Sequence, residues 1–167
     1  MGTIEPTGLG RLFEACGPSL RLYARQWAGA ATADDLVQEA FVRLATQSPV
    51  PTRPRAWLFR TVRNAAISHI RTAAARRHHE ERLGESAVPW FEPDPAALVD
   101  AESAREAMAA LPQDQREGIV LRIWGDLTFR EIADVVGRPH ATVFRQYADD
   151  LEAMRRRLES SCRTKND

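Results

Sequence analysis

Arg60, Arg63, Asn64, Ser68 and Arg71 are spaced so that they share one stripe of a helix with 3.6 residues per turn, and no acidic residue occurs between Arg53 and His79. A row of guanidinium groups with no local carboxylate to neutralise it calls for an external anion. The chemistry open to such a row is non-covalent: arginines grip phosphates, while Asn64 and Ser68 hydrogen-bond base edges. Trp57, one turn before Arg60, offers an indole on which an unpaired base can stack. The plainer alternative is an amphipathic helix with a solvated arginine face, Trp57 in the core, and Leu58, Val62, Ala66 and Ile70 buried.

Other reactive side chains are arranged less tellingly. Asp34, Asp35 and Glu39 suggest metal ligands or an acid and base pair, but carboxylates near a helix start are commonly there to match its dipole. His78 and His79 are adjacent, about 100 degrees apart on a helix, and chelate poorly. No Ser/His/Asp order or glycine-rich phosphate loop occurs, so the expectation is no catalytic residue, no metal and no cofactor. Cys16 and Cys162 read as separate reduced thiols.

The elements that must position the stripe follow from the rest of the chain. With 167 residues and an ordinary composition the protein is expected to be globular, and no segment has the length or apolarity of a membrane span or secretory signal. The reading is therefore a soluble, cytoplasmic protein without membrane insertion. A formal net charge of +0 conceals segregation: residues 53–79 carry only positive charge, whereas acids dominate from Glu80 to Glu117.

Leu9 to Trp27 reads as a helix interrupted or bent near Gly17 and Pro18. A second helix is predicted with Thr32 as N-cap, Asp34 and Asp35 in its first turn, Leu36, Val37, Ala40, Phe41 and Leu44 inward, and Gln38, Glu39, Val42 and Arg43 outward. Prolines from Ser48 to Pro54 impose a connector, and Pro54 opens the basic helix. Gly84 to Pro95 has a linker's composition, with Trp90 and Phe91 as anchors on a neighbouring domain or, alternatively, contacts for a partner protein. Ala96 to Ala110 is helix-forming. Pro112 then opens a helix through Trp124 with Ile119, Val120 and Ile123 apolar. Thr128 and Glu131 form a capping box for a helix to Val136, Gly137 turns the chain, and Val143, Tyr147, Leu151, Met154 and Leu158 mark a last stripe. This spacing is a helix-turn-helix pattern. The fold class is all-α: two small helical domains, 1–83 and 96–167, joined by the acidic, proline-containing linker 84–95.

Together these segments resemble the bacterial RNA polymerase sigma factors of the extracytoplasmic-function group. DDLVQEAFVRL (Asp34 to Leu44) resembles the family's polymerase-binding helix, PRAWLFRTVRNAAISHIR (Pro54 to Arg71) its minus-ten helix, and LPQDQREGIVLRIWGDLTFREIADVVG (Leu111 to Gly137) its C-terminal domain. The resemblance covers nearly the whole chain and implies a region 2 bundle followed by a region 4 helix-turn-helix. It implies that Asp35, Gln38, Glu39 and Phe41 contact the clamp coiled coil of the largest subunit of core RNA polymerase. Trp57, Arg60, Arg63, Asn64, Ser68 and Arg71 would contact minus-ten promoter DNA, and Arg138, His140, Thr142, Arg145 and Gln146 the minus-thirty-five element. An anti-sigma factor is a further implied partner.

The chain departs from the family after Gly137. Phe144, Gln146, Asp149 and Leu151 stand where arginines are usual, and Asp149 with Asp150 would face phosphates repulsively. The helix-turn-helix is therefore expected to be kept and its DNA contact weakened, with exposed Phe144 meeting a thymine methyl or a protein. Ser68 replaces a frequent acid. The acidic run Glu80 to Asp94 would imitate a nucleic-acid backbone in a polymerase channel. The function expected is promoter recognition and melting, without enzymatic activity. The rival reading is a sigma-like adaptor whose C-terminal domain binds an anti-sigma factor or activator instead of minus-thirty-five DNA.

Overall fold

Pro6 lies in the first turn of the first helix, where its missing N–H costs nothing, and α1 (Pro6–Ala24) runs on through Pro18. The computed structural model describes residues 2–79 and 106–164, without side-chain detail for 76–79 and 161–164. The predicted linker, with Trp90, Phe91 and the acidic run, lies outside the described residues. Cys16, Gly17, Leu20, Tyr23 and Ala24 form the buried face of α1.

The second helix, α2 (Ala30–Thr46), starts earlier than expected, with Gly29 as its extended N-cap. Thr32 is thus inside the helix rather than its cap. Two alanines, the strongest helix formers, extend the helix back to a glycine that tolerates the cap position. Asp34 and Asp35 consequently sit beyond the first turn, and Asp34 pairs with Arg21 of α1 at 3.3 Å. The predicted inward set of Leu36, Val37, Ala40, Phe41 and Leu44 is buried throughout.

α3 (Pro54–His79) opens at the expected proline. Leu58, Val62 and Ala66 are fully buried, as is Phe59 beside them, but Ile70 is exposed because α3 has run past its neighbours there. The Phe59 ring meets Tyr23 edge-on with centroids 5.2 Å apart.

In the second half, residues 106–109 are helical, and Ala107, Met108 and Leu111 are buried. α4 (Gln113–Ile123) follows. Its buried face is Glu117, Ile119, Val120 and Leu121; Ile123, expected to be apolar core, is 52% exposed at the helix end. Gly125 closes the helix because a Cβ there would sit 2.5 Å from the Leu121 carbonyl oxygen. α5 (Phe129–Val136) carries the complete Thr128/Glu131 capping box, and Gly137 ends it at φ 70, where glycine has no Cβ to strain. α6 (His140–Thr164) packs back through Val143, with Tyr147 and Met154 against the core.

α1, α2 and α3 pack pairwise into one bundle, and α4, α5 and α6 into a helix-turn-helix unit. Across the join α5 lies on α3, α1 touches α4, and the buried side chains of both halves form one cluster. Among the described residues there is no strand, and no helix is long and apolar enough to cross a membrane.

Candidate polymerase and nucleic-acid interfaces

The outer face of α2 carries Asp35, Gln38 and Glu39, all exposed. Glu39 is held by an (i, i+4) ion pair with Arg43. Phe41, predicted as part of the same surface, lies beneath it: it is buried and meets the Phe13 ring edge-on at 5.0 Å. Its position fixes how α2 sits on α1 and therefore how the acidic row is presented. Among the described residues no group of three His, Cys, Asp or Glu side chains could hold a metal ion. Asp34 and Glu39 are instead taken by Arg21 and Arg43.

Along α3 the predicted stripe divides. Arg60, Asn64, Ser68 and Arg71 are exposed, and Trp57 is half-buried against the core. Trp57 and Arg60 border a cleft whose opposite wall is Asp134 and Val135 of α5. Arg63 turns the other way. Its Nε lies 2.7 Å from Glu117 Oε1, and the Tyr23 hydroxyl donates to the same oxygen at 2.6 Å. Burial pushes the Tyr23 phenol well above its ordinary value, reinforced by the Glu117 charge. Burial acts to lower the Arg63 pKa, but the Glu117 hydrogen bond and charge outweigh it and raise it.

Arg138, in the turn before α6, and His140 and Arg145 on α6 face solvent, whereas Thr142 and Gln146 are half-buried. Gln146 Nε2 donates to Asp150 Oδ1 at 2.9 Å, so its amide is engaged inside the unit rather than offered to DNA. Asp150 corrects the sequence reading: it is 1% exposed and faces α4, leaving Asp149 as the outward acid. Leu151, assigned to the apolar stripe, is exposed in its place. The spacing already held the answer, since 143, 147, 150 and 154 follow the helical period as well as a stripe through 151 does.

Phe144 is 53% exposed, and its ring meets Phe129 at 5.2 Å. Tyr147 approaches the same Phe129 ring at 5.2 Å, and the Arg122 guanidinium lies over it at 5.3 Å. This cluster packs the start of α5 and Arg122 of α4 against the first turns of α6.

Asp150 yields a pH prediction. Burial pushes its carboxyl above the ordinary range; the Gln146 bond opposes this, Asp114 and Asp149 reinforce it, and Arg138 opposes it. The folded form thus holds the proton more tightly than the unfolded chain, and this group's contribution to stability falls as pH rises from about 4 through the raised folded value. Asp150→Asn is expected to lack that slope. Its stability relative to the parent, from urea unfolding, should increase between about pH 4 and pH 7.

The chain matches the Sigma-70 region 2 family over residues 12–76 and Sigma-70 region 4 over residues 101–148. It is 35% identical over 135 residues to the ECF RNA polymerase sigma factor EcfG of Rhodopseudomonas palustris, covering 77% of this chain and 73% of that protein. This chain belongs to the extracytoplasmic-function RNA polymerase sigma factors. The sigma factor SigJ of Mycobacterium tuberculosis is 37% identical over 138 residues, covering 77% of this chain but 44% of that longer protein. Among solved structures, the sigma factor RpoE in complex with the anti-sigma factor NepR from Bartonella quintana matches with TM-score 0.70 at 21% identity, over 90% of this chain and 96% of that one. CnrH in complex with the cytosolic domain of CnrY matches with TM-score 0.58 at 22% identity, over 93% and 90%. At these identities the likeness is one of fold.

Proposed function

We propose that this sigma factor docks on the clamp coiled coil of core RNA polymerase through Asp35, Gln38 and Glu39 of α2, positioned from below by Phe41, and holds the melting promoter strand on α3. The observation that carries this reading is the exposed row Arg60, Asn64, Ser68 and Arg71 beside Trp57, in a segment without a single carboxylate. Arginines hold phosphates, Asn64 and Ser68 bond an unstacked base, and Trp57 stacks. Unstacking costs a few kcal/mol per step, which a surface preferring single strands offsets by binding alone, without covalent catalysis. Site of action is the cytoplasm, where polymerase and promoters meet.

For the second half, Arg138, His140 and Arg145 remain as minus-thirty-five contacts, fewer than the five side chains expected. The exposed Phe144 favours a protein contact there, an anti-sigma factor or activator, as the second reading. Reconstitution with core polymerase on a pool of random promoters, scored by open-complex formation and recovered sequence, tests both. A minus-ten consensus is expected. Absence of initiation from every sequence would overturn the sigma assignment of activity, and recovery of no minus-thirty-five consensus would favour the protein-binding reading of α6.

A further inference from the structure

Two opposite charges border the cavity between α4 and α6 without pairing. Asp150 lines it from α6; the Gln146 amide donates to its Oδ1, while its Oδ2 is buried and accepts no hydrogen bond among the described residues. Arg138 lines the same cavity from the turn before α6 and has no ion pair among the described residues. Its backbone is fixed there: the Gly137 and Arg138 N–H groups both donate to the Ala133 carbonyl, and Pro139 restricts the residue before it. The side chain alone decides where its charge lies, out in solvent where a phosphate would meet it or inward against Asp150.

We propose that Asp150 is a positioning residue for Arg138: it draws the guanidinium over the cavity and so withholds it from the phosphates of minus-thirty-five DNA. The proposal rests on the reading of Arg138 as a minus-thirty-five contact. A buried carboxylate oxygen without a donor is unfavourable, and a guanidinium is the donor at hand. The other acids of the cavity gain less from it. Glu117 is already held by Arg63 and Tyr23, and Asp114 is exposed, where an ion pair contributes little. His140 and Arg145 stay outward, so one of three basic contacts becomes conditional on Asp150. Where the paired form outweighs the free one about ten to one, recruiting Arg138 to DNA costs about tenfold in affinity. The ionisable groups around Asp150 are Asp114 and Glu117 on α4, Arg138 in the turn, and Tyr147 and Asp149 on α6; α5 adds the apolar Ile132 and Val136. Burial, the largest influence, raises the Asp150 pKa, and the Arg138 charge is among those that oppose the rise. A proton on Asp150 removes the charge that holds Arg138 inward.

Two measurements on the full chain test this. Carboxyl carbon NMR of Asp150 needs no DNA: Arg138→Gln is expected to raise the proton affinity of Asp150 about tenfold, because the cation favouring its ionised form is gone. An unchanged Asp150 titration overturns the pairing. Binding of a random-sequence DNA duplex, read by fluorescence anisotropy, closes a double-mutant cycle. Asp150→Asn is expected to bind about tenfold tighter than the parent, and to gain nothing where Arg138→Gln is already present. The parent should approach Asp150→Asn as pH falls through the raised Asp150 value, while His140, present in both, cancels from the comparison. An equal gain in both backgrounds overturns the proposal, since it would report only the loss of a negative charge. A pair seen by titration with no gain in duplex binding overturns the withholding, and with it Arg138 as a DNA contact. Neither measurement involves polymerase, so failure to initiate on the promoter pool counts against the sigma activity and leaves both results standing.

Discussion

Arg60→Ala combined with Arg71→Ala is expected to abolish open-complex formation while leaving affinity for core polymerase within about twofold of the parent. Both side chains are exposed on α3, and neither has an ion-pair partner among the described residues, so their removal breaks no ion pair there. A charge-assisted bond to phosphate is worth about 1.5–3 kcal/mol, so two together correspond to about two to four orders of magnitude in strand retention. Losing two single-strand phosphate contacts should also flatten the salt slope by about 1.4. Arg63 is a poorer choice for this experiment. Its loss leaves Glu117 buried beside Tyr23 alone, and removing one partner of a buried pair costs about 3–5 kcal/mol, which mixes a stability effect with a binding one. Permanganate footprinting of the melted segment reads the first outcome, and a polymerase pull-down or anisotropy titration reads the second. Loss of both together would mean that α3 supports docking rather than strand capture.

Much of this arrangement was legible from local signals. Pro54 at the start of α3, the Thr128/Glu131 box and the left-handed Gly137 each act within one turn of chain, and each appears where its chemistry demands. Faces set by periodicity were also readable where a helix is packed along one side, as in α2. The errors arose where position depends on a partner distant in sequence. Glu117 reads only as the last acid of the run from Glu80, because its partner Arg63 is 54 residues away in the chain. Asp150 reads as an outward acid beside Asp149, but the helical period turns it toward α4, where the Gln146 amide donates to one of its oxygens. Ile70 and Ile123 differ for the opposite reason: they continue an apolar stripe to where neighbours among the described residues cover it only in part. In the candidate site the stripe on α3 is visible as a pattern, but the pairing of Arg63 with Glu117, which separates it from the exposed Arg60, Asn64, Ser68 and Arg71, is not.

On the proposed assignment docking falls to α2 and strand capture to α3, and so a second set of substitutions should have the complementary outcome. Asp35→Arg with Glu39→Arg is expected to lower affinity for core polymerase by about a hundredfold, or about 2.7 kcal/mol, and to lose open complexes only as a consequence. Both residues stand exposed on α2, so reversal adds charge to a solvated row rather than to the core. Glu39 loses its pair with Arg43, but a surface (i, i+4) pair of that kind contributes only about 0.3–0.5 kcal/mol, so the thermal midpoint should move little. Against a basic partner surface the same reversal replaces attraction by like-charge contact, which costs several kcal/mol and slows association most at low salt. Saturating polymerase concentrations should therefore restore melting to the Asp35→Arg/Glu39→Arg protein but not to the Arg60→Ala/Arg71→Ala protein. If excess polymerase rescues neither, the acidic row is not acting through docking, and α2 must influence the strand-holding surface through the Phe41 packing that joins it to α1.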